Sequence, residues 1–297
     1  MVDVPRPEGE GARVQIANAG ICGSDLAMIA AGTCPSDLTL GHELAGRLSD
    51  GTPVAIEPLV PCGICATCRA GHYNVCEKGD EICLGLESRD GGMADEVLVP
   101  ERCLVALPEG LPLENACLVE PIAVGLHGLR RAGLGSGERV AVLGGGSIGL
   151  LAAATARSLG CEVAVVTRHP HQERMARALG ASALSGDYDL VVVAAAGPDA
   201  VEAATKLARR GGRLVFLALI DGSVLDGSAA LSEISAITSM GYAGNGRREI
   251  DEAADLLADQ PEIADVITHR FPLDRAEEAF QVAGDRKAGS IKVVLEP

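Results

Sequence analysis

The chain has 297 residues, 47% of them hydrophobic and 22% charged, with a formal net charge of −16. That acidity argues against a nucleic-acid backbone or an anionic membrane as partner. No apolar run reaches the roughly 18 residues of a membrane-spanning helix. Aromatic residues make up 2% and tryptophan is absent, so aromatic stacking platforms are not expected. The length allows two domains and a sizeable core. The opening Met1-Val-Asp-Val-Pro-Arg-Pro-Glu8 has neither the basic nor the apolar segment of a signal peptide, so a cytoplasmic protein is expected.

In chain order, Ala12 to Ala19 alternates and reads as a strand. Gly20-Ile-Cys22-Gly-Ser24-Asp25 follows as a turn-like stretch carrying a thiol and a hydroxyl. His42 and Glu43 stand side by side within Leu40 to Gly46, and Pro53 to Val60 reads as a short strand. It leads into Cys62-x2-Cys65-x2-Cys68-x7-Cys76. Four thiolates so close in sequence can close a tetrahedron around one zinc ion and hold a lobe with little core of its own. The ferredoxin run C-x2-C-x2-C-x3-C-P is absent, and nothing marks an oxidising compartment that would favour disulfides. His72 lies inside the loop, but four cysteines already fill the shell.

Gly91 to Pro100 is a further strand. Glu120 then stands directly before Pro121 at the head of an apolar helix. A first-turn acid complements the helix dipole, and its carboxylate is equally a candidate metal ligand. From Arg139 a strand, a glycine turn and a helix succeed one another. Val140 to Leu143 runs into Gly144-x-Gly146-Ser147-Ile148-Gly149 and then Leu150 to Arg157. That order is the context a dinucleotide fingerprint needs. Gly144 permits the turn, Gly146 admits the pyrophosphate, and Gly149 allows close helix packing. The helix N-terminus, with Ser147 and Ile148, faces the phosphates. Strands at Glu162 to Thr167, Tyr188 to Ala194 and Gly212 to Leu219 alternate with helices at Glu173 to Leu179 and Asp199 to Ala208. The expectation is a parallel sheet covered on both faces. Arg247 to Asp259 is a helix, and Ile291 to Leu295 is a last strand returning to the first domain.

A site that prefers NAD places an acid at the end of the second strand. Here Thr167 is followed by Arg168, with Arg174 a turn further on. A guanidinium suits a 2′-phosphate, so NADP(H) is expected over NAD(H).

Together the Cys22-Gly-Ser24-Asp motif, Gly-His42-Glu43, the four-cysteine loop, Glu120-Pro and the glycine turn resemble the zinc-dependent medium-chain dehydrogenase/reductase family, in its polyol and threonine dehydrogenase branch. The resemblance implies an α/β fold with a Rossmann doubly wound parallel sheet over residues 123–262. A GroES-like, mostly β catalytic domain would be built from residues 1–122 and 263–297. The active site would lie in the cleft between them. It implies a catalytic zinc held by Cys22, His42 and Glu120, with Glu43 able to exchange onto the metal, and Ser24 as proton relay. A structural zinc would sit on Cys62, Cys65, Cys68 and Cys76. The reaction would interconvert an alcohol and a carbonyl compound, on a polar substrate, in a homodimer or homotetramer joined through the cofactor domains. Two departures stand out. Ala27 occupies the position where relatives often carry a histidine relay, and the N-terminus is shorter by about a strand pair, which would leave a sheet edge exposed. The alternatives are an NAD-linked polyol or threonine dehydrogenase, and a non-catalytic cofactor-binding regulatory protein on the same fold.

Overall fold

The computed structural model describes residues 4–86, 88–197, 199–219, 225, 227–244, 247–285 and 287–297. Met1 to Asp3, where the N-terminal reading begins, lie outside the described residues. Contacts divide the chain into two units, Met1–Glu120 with Ala243–Pro297, and Pro121–Tyr242.

The first unit opens with β1 (Ala12–Gly20), α1 (Gly23–Ala31), β2 (Glu43–Leu48) and β3 (Pro53–Ile56). It continues through α2 (Ala66–Arg69), β4 (Glu96–Val99) and β5 (Leu104–Ala106), then a 3-10 segment, Leu113–Leu118. α1 begins inside the stretch expected to be a turn. The Cys22 amide donates to Asp25 Oδ2 at 2.9 Å, which satisfies one of the amides orphaned at a helix start. Val14, Ile16, Leu44, Val54, Ile56, Val97 and Val99 form this unit's core. β1 carries a bulge where Ile16 faces Gly46 and Asn18 faces Ala45.

The chain crosses at α3 (Val119–Arg131) into β6 (Arg139–Leu143), α4 (Ser147–Ser158), β7 (Glu162–Val166), α5 (Pro170–Ala178) and β8 (Tyr188–Val193). After these come α6 (Ala200–Leu207), β9 (Ala208–Phe216), α7 (Gly227–Leu231) and β10 (Ser235–Thr238). The sheet order is β10-β9-β8-β6-β7, all parallel. Val140 and Val142 pack on one face of β6 with Ala152, Ala153 and Ala156 of α4. Ala141 packs on the other face with Val201 and Ala204 of α6. Strands apolar on both sides are what a sheet covered on both faces requires. A chain poor in aromatics fills this core with alanine and valine, so helices lie close: a Cβ on Gly125 would stand 3.1 Å from the Ala152 Cα. A single parallel bridge, Ala164 to Ser182, stands where a further strand would extend the sheet beyond β7.

The chain then re-enters the first unit as α8 (Glu249–Asp259), β11 (Ile267–Pro272), α9 (Ala276–Gly284) and β12 (Lys292–Glu296). The completed sheet runs β11-β12-β1-β2-β3-β5, with β4 also on β1. The sequence pattern alone puts the return point at residue 263. Residues 243–262 instead group with the first unit, because Arg248 reaches Glu57 Oε2 at 2.9 Å and the carbonyls of Arg102 and Leu104. That anchorage is tertiary and leaves no trace in local sequence. The expected tail strand does pair β1, through Ala19 with Leu295 and Gly20 with Val294.

Candidate metal centres and nucleotide site

Cys22, at the N-cap of α1, and His42 and Glu43, at the head of β2, bring a thiol, an imidazole and a carboxylate within 4.8 Å of one another. His42 and Glu43 are buried. The two nitrogens of His42 face different groups. Nε2 lies 3.3 Å from Ser24 Oγ, and Nδ1 lies 3.6 Å from Oδ1 of the fully buried Asp25. Asp25 stands behind Nδ1 just beyond hydrogen-bond distance, and its charge favours a proton on that nitrogen, which would leave Nε2 as the candidate metal donor. Burial alone would push His42 down. The Cys22 hydrogen bond and charge, with Asp25 and Glu120, outweigh it and lift the imidazole to about 10.

Glu43 is held from behind. Lys292, buried on β12, donates to its two oxygens at 2.7 and 2.5 Å and to the Ile21 carbonyl at 3.1 Å. A Cβ on Gly20 would lie 2.1 Å from Glu43 Oε2, so only glycine leaves that carboxylate its place. Glu120 is not part of the 4.8 Å set. It is buried at the start of α3, and burial, reinforced by Glu43 and Asp25 and opposed by His42 and Lys292, pushes its carboxyl up to about 7. Of these groups Glu43 is the one in contact with Lys292. A mixed sulfur, nitrogen and oxygen donor set fits a divalent zinc ion. Asp25 and Lys292 were not singled out from sequence. An acid three residues into a helix, and a lysine inside an apolar terminal strand, were the available signals.

Cys62, Cys65, Cys68 and Cys76 form a second set within 4.8 Å. The Sγ atoms of Cys62 and Cys68 are 3.9 Å apart, as are those of Cys65 and Cys76. A tetrahedron with Zn–S bonds of about 2.3 Å has edges of about 3.8 Å, whereas a disulfide would need about 2.05 Å. Amides of Cys62 and Lys78 point at Cys76 Sγ, and that of Cys65 at Cys62 Sγ, all at 3.4 Å. The Thr67 hydroxyl and backbone amides push Cys65 down to about 5, while burial and neighbouring thiols push Cys68 up to about 12. His72 is exposed and outside the set.

In the second unit, Gly144 has φ +120° and a Cβ there would strike the Ala194 carbonyl carbon and oxygen at 2.9 Å. A Cβ on Gly149 would lie 1.9 Å from the Gly144 oxygen, while around Gly146 nothing lies within 4 Å. The open side at the head of α4 is the space a pyrophosphate would fill. Ser147 Oγ is buried there without a hydrogen-bond partner among the described residues, and Ile148 is half-buried in the same turn. Thr167 follows β7. Arg168 and Arg174 are exposed, and no described bond joins their guanidinium groups to each other.

Residues 8–109 match the alcohol dehydrogenase GroES-like domain and residues 159–295 the zinc-binding dehydrogenase domain. The chain is 30% identical to L-galactonate-5-dehydrogenase of Escherichia coli K12, over 94% of this chain and 89% of that one. Among solved structures it resembles one described as a zinc-binding dehydrogenase from Sinorhizobium meliloti 1021 bound to NADP. The TM-score is 0.87 at 29% identity, covering 100% of this chain and 94% of that one. It also resembles galactitol-1-phosphate dehydrogenase of Escherichia coli, with TM-score 0.87 and 29% identity, over 100% of this chain and 96% of that one.

Proposed function

The chain belongs to the zinc-dependent medium-chain alcohol dehydrogenase family, and from that premise we propose that it passes hydride between NADP(H) and a polar secondary alcohol or its ketone. The observation that carries this reading is the set of Cys22, His42 and Glu43 with Asp25 behind it. Cys22 Sγ, His42 Nε2 and the Glu120 carboxylate would hold the catalytic zinc, with Glu43 beside them, and Cys62, Cys65, Cys68 and Cys76 a structural one. When bound, the catalytic zinc supplies a Lewis acid for the substrate oxygen and the nicotinamide supplies the hydride acceptor or donor.

The protein's own groups orient donors and move the proton. Asp25 Oδ1, 3.6 Å behind His42 Nδ1, would favour a proton on that nitrogen and leave Nε2 to face the metal. Ser24, on α1 with its Oγ 3.3 Å from His42 Nε2, would take the proton of the alcohol while passing its own onward. Ala27, exposed on the same helix, offers no relay beyond it, so water or a ribose hydroxyl of the bound cofactor would carry the proton to solvent. Lys292 neutralises Glu43 and keeps it from competing for the open position. Arg168, with Thr167 and Arg174, would receive the 2′-phosphate above the turn of Gly144, Gly146, Ser147, Ile148 and Gly149. A polar substrate is supported by the names of the relatives, which act on L-galactonate and galactitol 1-phosphate. A homodimer or homotetramer through the second unit is supported by β10, an edge strand with exposed Ser235, Ala236 and Thr238. No helix among the described residues is long and apolar enough to cross a membrane.

The test is fluorescence titration with NADPH and NADH, then a panel of polyols and ketoses with the preferred cofactor. Arg168→Gln should weaken NADPH about 10–100-fold, the worth of a charge-assisted hydrogen bond, and leave NADH unchanged. Tighter NADH binding would make Arg168 a bystander and point to an NAD-linked polyol dehydrogenase. Cofactor binding with no turnover of any alcohol by the zinc-loaded chain would favour a regulatory protein.

A further inference from the structure

β1 and the segment that leads to Glu120 meet through one fully buried side chain, Asn18. Its Nδ2 donates to the Leu113 carbonyl at 2.8 Å and its Oδ1 accepts from the Cys117 amide at 3.1 Å. A carbonyl can only accept and an N–H only donate, so the sense of the amide is fixed. Leu113 opens the 3-10 segment and Cys117 lies near its end, so the side chain spans it. Cys22 comes four residues after Asn18, and Glu120 three residues after Cys117. The bulge in β1 falls between Ile16 and Asn18, where the strand's alternation is reset. Arg270 grips the same segment from the solvent side, donating to the Glu114 carbonyl and Asn115 Oδ1, each at 2.9 Å.

We propose that Asn18 is a positioning residue that fixes where Glu120 stands relative to Cys22, and so sets the shape of the catalytic zinc site. The inference rests on the reading of Glu120 as a zinc ligand. Cys22 and Glu120 are far apart in sequence, and two hydrogen bonds from the buried Asn18 side chain tie their carriers together. Few side chains could replace it. Aspartate loses the donor and adds a charge to a site already crowded with carboxylates. Leucine leaves a buried carbonyl and a buried amide without partners. Glutamine keeps both groups but sets them about 1.5 Å further out.

The experiment uses the full chain loaded with zinc, as parent, Asn18→Gln, Asn18→Ala, Arg270→Met and Glu120→Ala. Zinc content is read by atomic emission after competition with graded chelator, folding by circular dichroism, and site geometry by the visible spectrum after cobalt(II) exchange. Both Asn18 variants should keep the four-cysteine zinc and lose the second zinc about 10–100-fold more readily, with an altered cobalt spectrum. Arg270→Met should lower the thermal midpoint and leave zinc affinity and spectrum as in the parent. If the Asn18 variants hold the second zinc like the parent while Glu120→Ala loses it, the positioning role fails and the ligand reading stands. If Glu120→Ala keeps the second zinc with the parental spectrum, the ligand reading fails and the positioning role with it. Equal zinc loss in Arg270→Met would reduce Asn18 to one packing contact among several and overturn the proposal. Should Asn18→Ala not fold, Asn18→Gln, which retains both polar groups, decides on the same readouts.

Discussion

The two candidate metal centres of the first unit are built in opposite ways. The cysteine lobe draws four like donors from one run of fifteen residues, Cys62 to Cys76, and Ile64 inside it is 69% exposed. The inner site would draw unlike donors from Cys22, His42 and Glu120, with Glu43 beside them, residues spread over about a hundred positions and mostly buried. The lobe's donors are held by their own loop, through amide and hydroxyl bonds to sulfur. The inner donors are held by other elements: Asp25 behind His42, and Lys292 of β12 behind Glu43. A local site can therefore be read from spacing and broken by removing its metal. A distributed site depends on the fold and breaks at residues that are not ligands.

The largest expected effect separates the two by function. Cys22→Ser should cut turnover roughly a thousandfold or more, since zinc's charge stabilisation is worth several kcal/mol at about 1.4 kcal/mol per decade. The four-cysteine zinc and the fold should survive, as zinc analysis and circular dichroism would report. Parental turnover would remove the inner site from the chemistry.

Lys292→Met comes next. It leaves the Glu43 carboxylate buried without its cation, at a cost of roughly 3–5 kcal/mol, measured by urea unfolding. A loss under about 1 kcal/mol would mean that Glu43 finds another partner and that the inner site does not need β12.

Cys65→Ser should act on stability alone. Losing the structural zinc should cost around 3 kcal/mol, a fall in midpoint of roughly 6–12 °C. Turnover per folded molecule measured well below the midpoint should be close to parental. A collapse of kcat at that temperature would show that the two centres are not independent.

The smallest effect tests how the lobe is fastened. The Tyr73 hydroxyl donates to Glu57 Oε1 at 2.7 Å, and Arg248 donates to Oε2. Burial holds the Glu57 carboxyl above its ordinary 4.5, with Tyr73 and Arg248 pulling the other way. An upward shift in an acid means that protonation favours the folded state. Its contribution is complete below the ordinary value and is lost as pH rises through the folded-state value. The midpoint advantage of the parent over Glu57→Gln should therefore be greatest in acid and shrink toward neutrality. An advantage that grows with pH would show that the ion pair with Arg248 outweighs burial.

The same contrast explains what could be read in advance. The lobe was legible because its donors share one short loop. The glycine turn was legible because Gly144 and Gly149 each answer a local steric demand, Gly146 keeps the side of the turn between them open, and the strands on either side are apolar on both faces. α1 was missed because Gly20, Gly23 and Ser24 look like a turn, and its capping depends on Asp25 folding back onto Cys22. Residues 243–262 group by contacts with the first unit, where Arg248 finds its partners across some 190 residues of sequence, a link that local sequence does not display. Asn18 and Lys292 carry no motif. A buried asparagine and a buried lysine acquire meaning from what faces them.

By itself, the sequence determined the order of the two units, the four-cysteine loop, the glycine turn and the candidate donor types at Cys22, His42, Glu43 and Glu120. Those are properties of spacing and residue chemistry, which act over one turn or one loop. The tertiary structure alone decided which carboxylate stands with the thiol and imidazole, which cation neutralises it, and which ring nitrogen of His42 faces Asp25. Those depend on desolvated charges meeting across distant strands, where a few ångströms inside a low-dielectric interior separate a partnered group from an unpaired one.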